Sequence, residues 1–298
     1  MVLGASGFVG SAVLDAACAS AAEQIYAPVH RRPLALANDP RIVTWKSSLQ
    51  DLQFPSPLPD YIIHAARQAS SKGRMGRLFR ALLGQQANSR LLQTYNNPGI
   101  ISKLWYVSGS LMYGNGGQEL ITEDRPLQPI SFARDYRHAE APFTHAATSG
   151  SKVGIFRVPW VFGTGSWFER FYLQPMRQQG YIPLFGKGDN IITLISRQDL
   201  GRAILTATAS TQPVLNLFMP DYITQETFAG LLHEYSGLPV QRIALAAVRQ
   251  EYGAAVADAF SSSIRLGSLY DNTAVQSSLQ FHTAQDMIAG LLPAILDI

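Results

Sequence analysis

Met1-Val-Leu-Gly-Ala-Ser-Gly-Phe-Val-Gly10 opens the chain, three apolar residues running into Gly4, Gly7 and Gly10 with an apolar helical pattern behind them. Glycines at this spacing let a strand turn sharply into a helix and bring backbone N–H groups close to a pyrophosphate. They also let the helix approach the sheet where any side chain would intrude. The stretch predicts a strand-to-helix turn that holds a dinucleotide. Only Met1 to Leu3 precede the turn, which is short for a central strand, so residues upstream of Met1 are expected.

Strand and helix patterns alternate downstream. Val9, Val13, Leu14, Ala17 and Cys18 recur at helical spacing between Phe8 and Ala22. Gln24 to Val29 reads as a second strand and Ile42 to Trp45, after the turn Asn38-Asp39-Pro40, as a third. Asp60-Tyr-Ile-Ile-His-Ala-Ala66 is a fourth, apolar on both faces as a buried parallel strand is. A helix is expected from about Gly76 to Tyr95, a fifth strand over Lys103 to Ser108, a helix from Phe132 to about Ala147, and a sixth strand over Val153 to Val158. This alternation predicts an α/β chain with a doubly wound parallel sheet of the Rossmann type. Aromatics and turns dominate Trp167 to Asn190. Ile191 to Ala207 carries a strand and a helix, and Pro213 to Leu217 a further strand. Two or three helices follow from Thr224, the last broken at Pro293.

Composition limits the alternatives. With 298 residues, 47% hydrophobic and 15% charged, the chain builds a sizeable core. A net charge of +3 without a dense Lys/Arg run argues against nucleic acid as a partner. The single cysteine, Cys18, excludes an internal disulfide. The histidines never approach metal-ligand spacing with Cys or acids, so no metal is expected. No segment approaches the ~18 apolar residues a bilayer span requires, and no basic region precedes the first strand; no membrane association and a cytoplasmic location are expected.

The second strand ends in His30-Arg31-Arg32-Pro33. In a doubly wound fold this end meets the adenosine ribose. A carboxylate there holds the 2′-hydroxyl of NAD, whereas a guanidinium accommodates the 2′-phosphate of NADP. Arg31 and Arg32, with no acid beside them, favour NADP over NAD; a solvated basic turn is the competing reading. Ser48, at the exit of the third strand, faces either the adenine or plain solvent.

The motifs accumulate in a fixed order: Gly4-Ala-Ser-Gly-Phe-Val-Gly10, Ile62-Ile-His-Ala-Ala66, Asn88, Tyr106-Val-Ser-Gly-Ser-Leu-Met-Tyr-Gly114, Thr122-Glu-Asp-Arg-Pro-Leu127, Arg157-Val-Pro-Trp-Val-Phe-Gly163, Gly186-Lys-Gly-Asp-Asn190 and Leu194-Ile-Ser-Arg-Gln-Asp-Leu200. In this order the chain resembles, along nearly its whole length, the NAD-dependent epimerase/dehydratase family of extended short-chain dehydrogenases/reductases. The resemblance implies a Rossmann domain over residues 1–163, rejoined by 191–217. A small C-terminal α+β substrate domain would take residues 164–190 and 218–298, the nicotinamide lying between the two. It implies cofactor contacts at Gly4, Ser6, Gly7, Phe8, Val9, Arg31, Arg32, Ser48, Leu49, His64, Ala65, Ala66, Ser108, Tyr136, Pro159 and Val161. It further implies hydride transfer on a nucleotide sugar or similar small metabolite, and a homodimer paired through the helices after strands four and five.

Family members carry a Ser or Thr near the end of strand five and Tyr-x-x-x-Lys on the next helix. The tyrosine is the acid/base, and the lysine one turn on lowers its pKa and holds the nicotinamide ribose. Here that helix reads Pro129-Ile-Ser-Phe-Ala-Arg-Asp-Tyr-Arg-His-Ala-Glu140. Anchoring on Glu140, at the family's glutamate, puts Phe132 at the tyrosine position and Tyr136 at the lysine position. A second register makes Tyr136 the tyrosine but sets Glu140 where the lysine belongs, and a carboxylate there disfavours a phenolate. The strand-five hydroxyl position falls on Gly109, flanked by Ser108 and Ser110. Proton transfer is therefore assigned to Tyr136 with Ser110 assisting. The alternative is a catalytically silent NADP-binding protein. His138 reads as a surface histidine, His64 as a group that lines the cleft or satisfies the backbone, and the aromatics from Trp160 to Tyr172 mostly as core.

Overall fold

The structure, a computed structural model, describes residues 1–35, 38–67, 74–96 and 102–296, so the last two residues of the expected C-terminal domain lie outside it. The chain divides into two compact units. One comprises Met1–Ser108, Arg134–Arg157 and Gly201–Leu215, the other Gly109–Ala133, Val158–Leu200 and Asn216–Ile298.

The first unit contains β1 (Val2–Leu3), α1 (Phe8–Cys18), β2 (Ile25–Tyr26), β3 (Ile42–Val43), β4 (Tyr61–His64), α2 (Arg74–Tyr95), β5 (Lys103–Gly109) and α3 (Tyr136–Thr148). Its central sheet runs in the order β1, β4, β5, Val153–Val158, Val214–Asn216. β1 and β5 flank β4 in parallel, with Leu3 opposite His64 and His64 opposite Tyr106. β2 and β3 form a parallel pair of their own, with Ile25 opposite Ile42.

Side chains alternate across these strands. Leu3, Ile62, Leu104 and Tyr106 meet Leu91, Leu92 and Tyr95 of α2 and Phe143 and Ala147 of α3 in one buried cluster. Trp105 points the other way, its Nε1–H donating to Thr208 O at 3.0 Å, just past the helix Arg197–Ala207. That helix packs on α1 so closely that a Cβ on Gly201 would stand 2.2 Å from Ala12 O. Helices thus cover both faces of a parallel sheet, the doubly wound arrangement expected.

α3 starts at Tyr136 rather than Phe132. Residues 131–135 are turns, with bonds from Ala133 N–H to Ile130 O and from Arg137 N–H to Arg134 O, so the apolar spacing there does not extend the helix.

The second unit holds a three-stranded sheet. Ile191–Ser196 runs antiparallel to Tyr222–Thr224 and parallel to Trp160–Phe162. Ile182–Phe185 pairs with Val240–Ile243, and Leu120–Ile121 with Arg265–Leu266. Beyond Thr224 there are more helices than expected: Gln225–Ser236, Leu245–Tyr252, Ala254–Ser261, Thr273–Ser278 and Ala284–Leu296. The last is not broken at Pro293 but runs through it to Leu296, although Pro293 has no N–H to offer the carbonyl four residues back. Phe162, Phe168 and Tyr172 are buried against Phe228, so these aromatics are core. Among the described residues no helix is long and apolar enough to cross a membrane.

Candidate functional site

The turn between β1 and α1 is closed by Gly7 N–H donating to Gly4 O at 2.8 Å. Gly4 sits at φ +85°, and a Cβ on it would stand 2.7 Å from the backbone N and Cα of Ala66. A Cβ on Gly10 would stand 2.0 Å from Gly4 O. Both positions require glycine. No side chain caps α1 at Gly7, which leaves the helix N-terminus to an external anion.

This turn forms one wall of a cleft of about 520 Å³ at the carboxyl ends of β1 and β4. Its lining comprises Leu3, Gly4, Ser6 and Gly7; Pro28, His30, Arg31 and Arg32; Ser47, Ser48, Leu49 and Leu52; and Ala65, Ala66, Arg67 and Arg80. Among the described residues four arginines line it, and no Asp or Glu does. The cleft is therefore a site for an anion with an apolar portion.

The lining includes nine of the residues expected at the cofactor: Gly4, Ser6, Gly7, Arg31, Arg32, Ser48, Leu49, Ala65 and Ala66. Phe8 and Val9 form the first turn of α1. The Ser48 hydroxyl donates to Asp51 Oδ2 at 2.7 Å.

His64 lies away from the cleft, fully buried, with Nε2 2.9 Å from Asn88 Oδ1. Asn88 Nδ2 donates to Ala139 O at 2.7 Å, so Oδ1 is the acceptor and the His64 proton is on Nε2. Nδ1 then accepts from Ala66 N–H at 3.3 Å. Burial lowers the His64 pKa to about 4, although the Asn88 bond works in the opposite direction. The neutral ring ties β4, α2 and α3 together. The unfolded chain takes up this proton near the ordinary value, so stability is complete above about pH 6.5 and falls as pH drops towards about 4. Over that window wild type is expected to lose about 3 kcal/mol more than His64→Gln. Urea titrations at stepped pH check this, and parallel profiles would contradict it.

Ser108 also points away from the cleft, into a buried network. Its Oγ donates to Glu140 Oε2 and accepts from Arg157 Nη1 at 2.8 Å. Arg157 grips Glu140 with both terminal nitrogens, Nη1 to Oε2 at 2.7 Å and Nη2 to Oε1 at 2.5 Å. Tyr136, half-buried at the start of α3, lies under Arg67, whose guanidinium carbon is 4.9 Å from the ring centroid.

Ser110, Pro159 and Val161 belong to the second unit. Ser110 is buried, and Val161 pairs with Ile195. A Cβ on Gly109 would meet nothing within 4 Å. Phe132 is 41% exposed, and His138 is an exposed helix residue.

Other motif residues are structural ties. Glu123 accepts from Asn216 N–H, Ser268 Oγ and Leu269 N–H, and Asp199 accepts from the backbone of Gln280 and Phe281. Sequence reasoning missed Arg67 and Arg80. Arg67 had a signal, as the first charged residue after an apolar strand; Arg80 had none beyond a polar helix position.

The model of the NAD dependent epimerase/dehydratase family matches residues 1–217. The chain belongs to this family. Among solved structures it is similar to the human epimerase family protein SDR39U1 (isoform2) with NADPH, at 19% identity and a TM-score of 0.77 over 99% of this chain and 97% of that one. It is also similar to DesIV, a dTDP-glucose 4,6-dehydratase from Streptomyces venezuelae with NAD, at 20% identity and a TM-score of 0.73 over 97% and 94%. For the UDP-glucuronic acid 4-epimerase from Bacillus cereus with NAD the values are 15% and 0.71 over 99% and 98%. At such identities the likeness is one of fold. A search of the curated proteins finds no match.

Proposed function

We propose that the cleft holds NADP and that this epimerase/dehydratase family member is an oxidoreductase acting on a nucleotide sugar or a similar small hydroxy or carbonyl metabolite. The observation that carries the cofactor reading is the lining: Arg31 and Arg32 after β2, and no carboxylate to take a ribose 2′-hydroxyl. The residues fit the dinucleotide. Gly4 and Gly10, which have no room for a Cβ, keep the turn tight, and the N-terminus of α1 would supply donors to a pyrophosphate beside it. When bound, the nicotinamide takes or returns a hydride at a substrate carbon that bears the oxygen.

The chain's own part is to hold the cofactor and move a proton. Ser108 is committed to Glu140 and Arg157, and we assign the proton transfer to Tyr136. The likeness to DesIV, a dTDP-glucose 4,6-dehydratase, and to the Bacillus cereus UDP-glucuronic acid 4-epimerase supports a nucleotide-sugar substrate. Residues 164–190 and 218–298 would select it.

The second reading, an NADP-binding protein without turnover, is favoured by the lock on Glu140. That lock supports the register with Phe132 at the tyrosine position.

Titration with reduced cofactors, followed by tryptophan fluorescence, is expected to give NADPH an affinity about tenfold above that of NADH. Arg31→Ala with Arg32→Ala removes the preference; equal affinities in wild type would sink the NADP reading. Turnover of a carbonyl panel, followed at the nicotinamide absorbance band and abolished by Tyr136→Phe, supports the oxidoreductase. Tight binding without turnover supports the silent protein.

A further inference from the structure

Arg31 and Arg32 enter the cleft from the end of β2, but Arg67 enters from the end of β4. Ala66, the residue before it, touches the glycine turn closely enough that a Cβ on Gly4 would collide with its backbone. The backbone of Arg67 is thereby fixed beside the turn that would receive a pyrophosphate. Its guanidinium lies over the ring of Tyr136, at the first residue of α3. A guanidinium held over a ring by cation–π attraction still has N–H donors to offer an anion, and the ring limits the freedom lost on binding. Arg80 adds to the positive field of the same cleft. The charge of Arg67 is also felt inward, opposing the cationic form of His64 and favouring the phenolate of Tyr106.

Position decides which part of the ligand this cation meets. β4 and the strands beyond it extend from one side of β1, and the adenosine side is marked by the exit of β2. Crossing the glycine turn from the adenosine side, a dinucleotide reaches the β4 exit with its other half. We propose that Arg67, held by the Tyr136 ring, is a phosphate-binding residue for the nicotinamide mononucleotide half of the cofactor. The proposal rests on the NADP reading of the cleft.

Two probes separate the halves: NADPH, and adenosine 2′,5′-bisphosphate, which lacks the nicotinamide mononucleotide. Dissociation constants are measured by calorimetry for wild type, Arg67→Gln, Tyr136→Leu and the double variant Arg31→Gln/Arg32→Gln. Arg67→Gln is expected to weaken NADPH about tenfold while leaving adenosine 2′,5′-bisphosphate within about twofold. Tyr136→Leu, which removes the ring but keeps the charge, weakens NADPH by a smaller factor and also spares the bisphosphate. The double variant weakens both probes. Unchanged NADPH affinity in Arg67→Gln overturns the proposal, as does equal loss of both probes in that variant. A wild type that binds neither probe removes the NADP reading, and this role of Arg67 with it.

Discussion

Glu140→Ala is expected to lower the unfolding free energy by about 3–5 kcal/mol. Arg157 and Glu140 are 2% and 1% exposed, and the pair is bidentate with Ser108 bridging it. Removing the carboxylate leaves a buried guanidinium whose charge is uncompensated. Taking away both charges is different, because apolar groups of similar volume need no partner. Glu140→Leu combined with Arg157→Met is accordingly expected to cost less than Glu140→Ala alone. Guanidinium denaturation midpoints at fixed pH check the order. A double variant weaker than either single change would mean that the pair is net stabilising, and that its role in locking α3 to the sheet is larger than the desolvation argument allows.

Gly10→Ala is the second large effect. Its methyl group would lie 2.0 Å from Gly4 O and 2.5 Å from Gly4 C, both backbone atoms of a turn whose carbonyl already accepts from Gly7 N–H. Neither atom can yield without opening the turn, so the expected cost is about 3 kcal/mol or more, together with loss of nicotinamide-cofactor binding. Gly109→Ala is the control. Gly109 has an extended backbone at φ −107°, and no atom lies within 4 Å of its would-be Cβ, so its substitution is expected to stay within about 0.5 kcal/mol. Thermal melts of the two variants check the contrast. A Gly10→Ala protein that melts with wild type would contradict the geometry.

The glycine turn, the strands and the helices that cover them were legible because each carries a local signal: a spacing, an apolar run or a period. The start of α3 was not, because the spacing around Phe132 continues the helical pattern while the backbone at residues 131–135 closes into turns. Helices such as Leu245–Tyr252 and Ala254–Ser261 were under-read for a related reason, since short segments are fixed by packing and by long-range pairing such as Val240 with Ile182. In the cleft, Arg31 and Arg32 were readable from one rule about the end of a strand. The sequence leaves His64 either lining the cleft or satisfying the backbone; its ring accepts from Ala66 N–H and turns to Asn88, a partner that no pattern along the chain pairs with it. Arg67 matters through a ring 69 residues further along the sequence, a distance over which periodicity is silent.

The first unit is assembled from three separated stretches, the last of them Gly201–Leu215. Ile155 N–H donates to Pro213 O and Trp105 Nε1–H to Thr208 O, so these donors have no native acceptor until that stretch has been made. A ribosome delivering this chain completes Val158–Leu200 of the second unit before it supplies the closing strand of the first. The sheet that carries the cleft is therefore finished late in synthesis, and a nascent chain halted at Leu200 would expose an unpaired strand edge to chaperones and proteases.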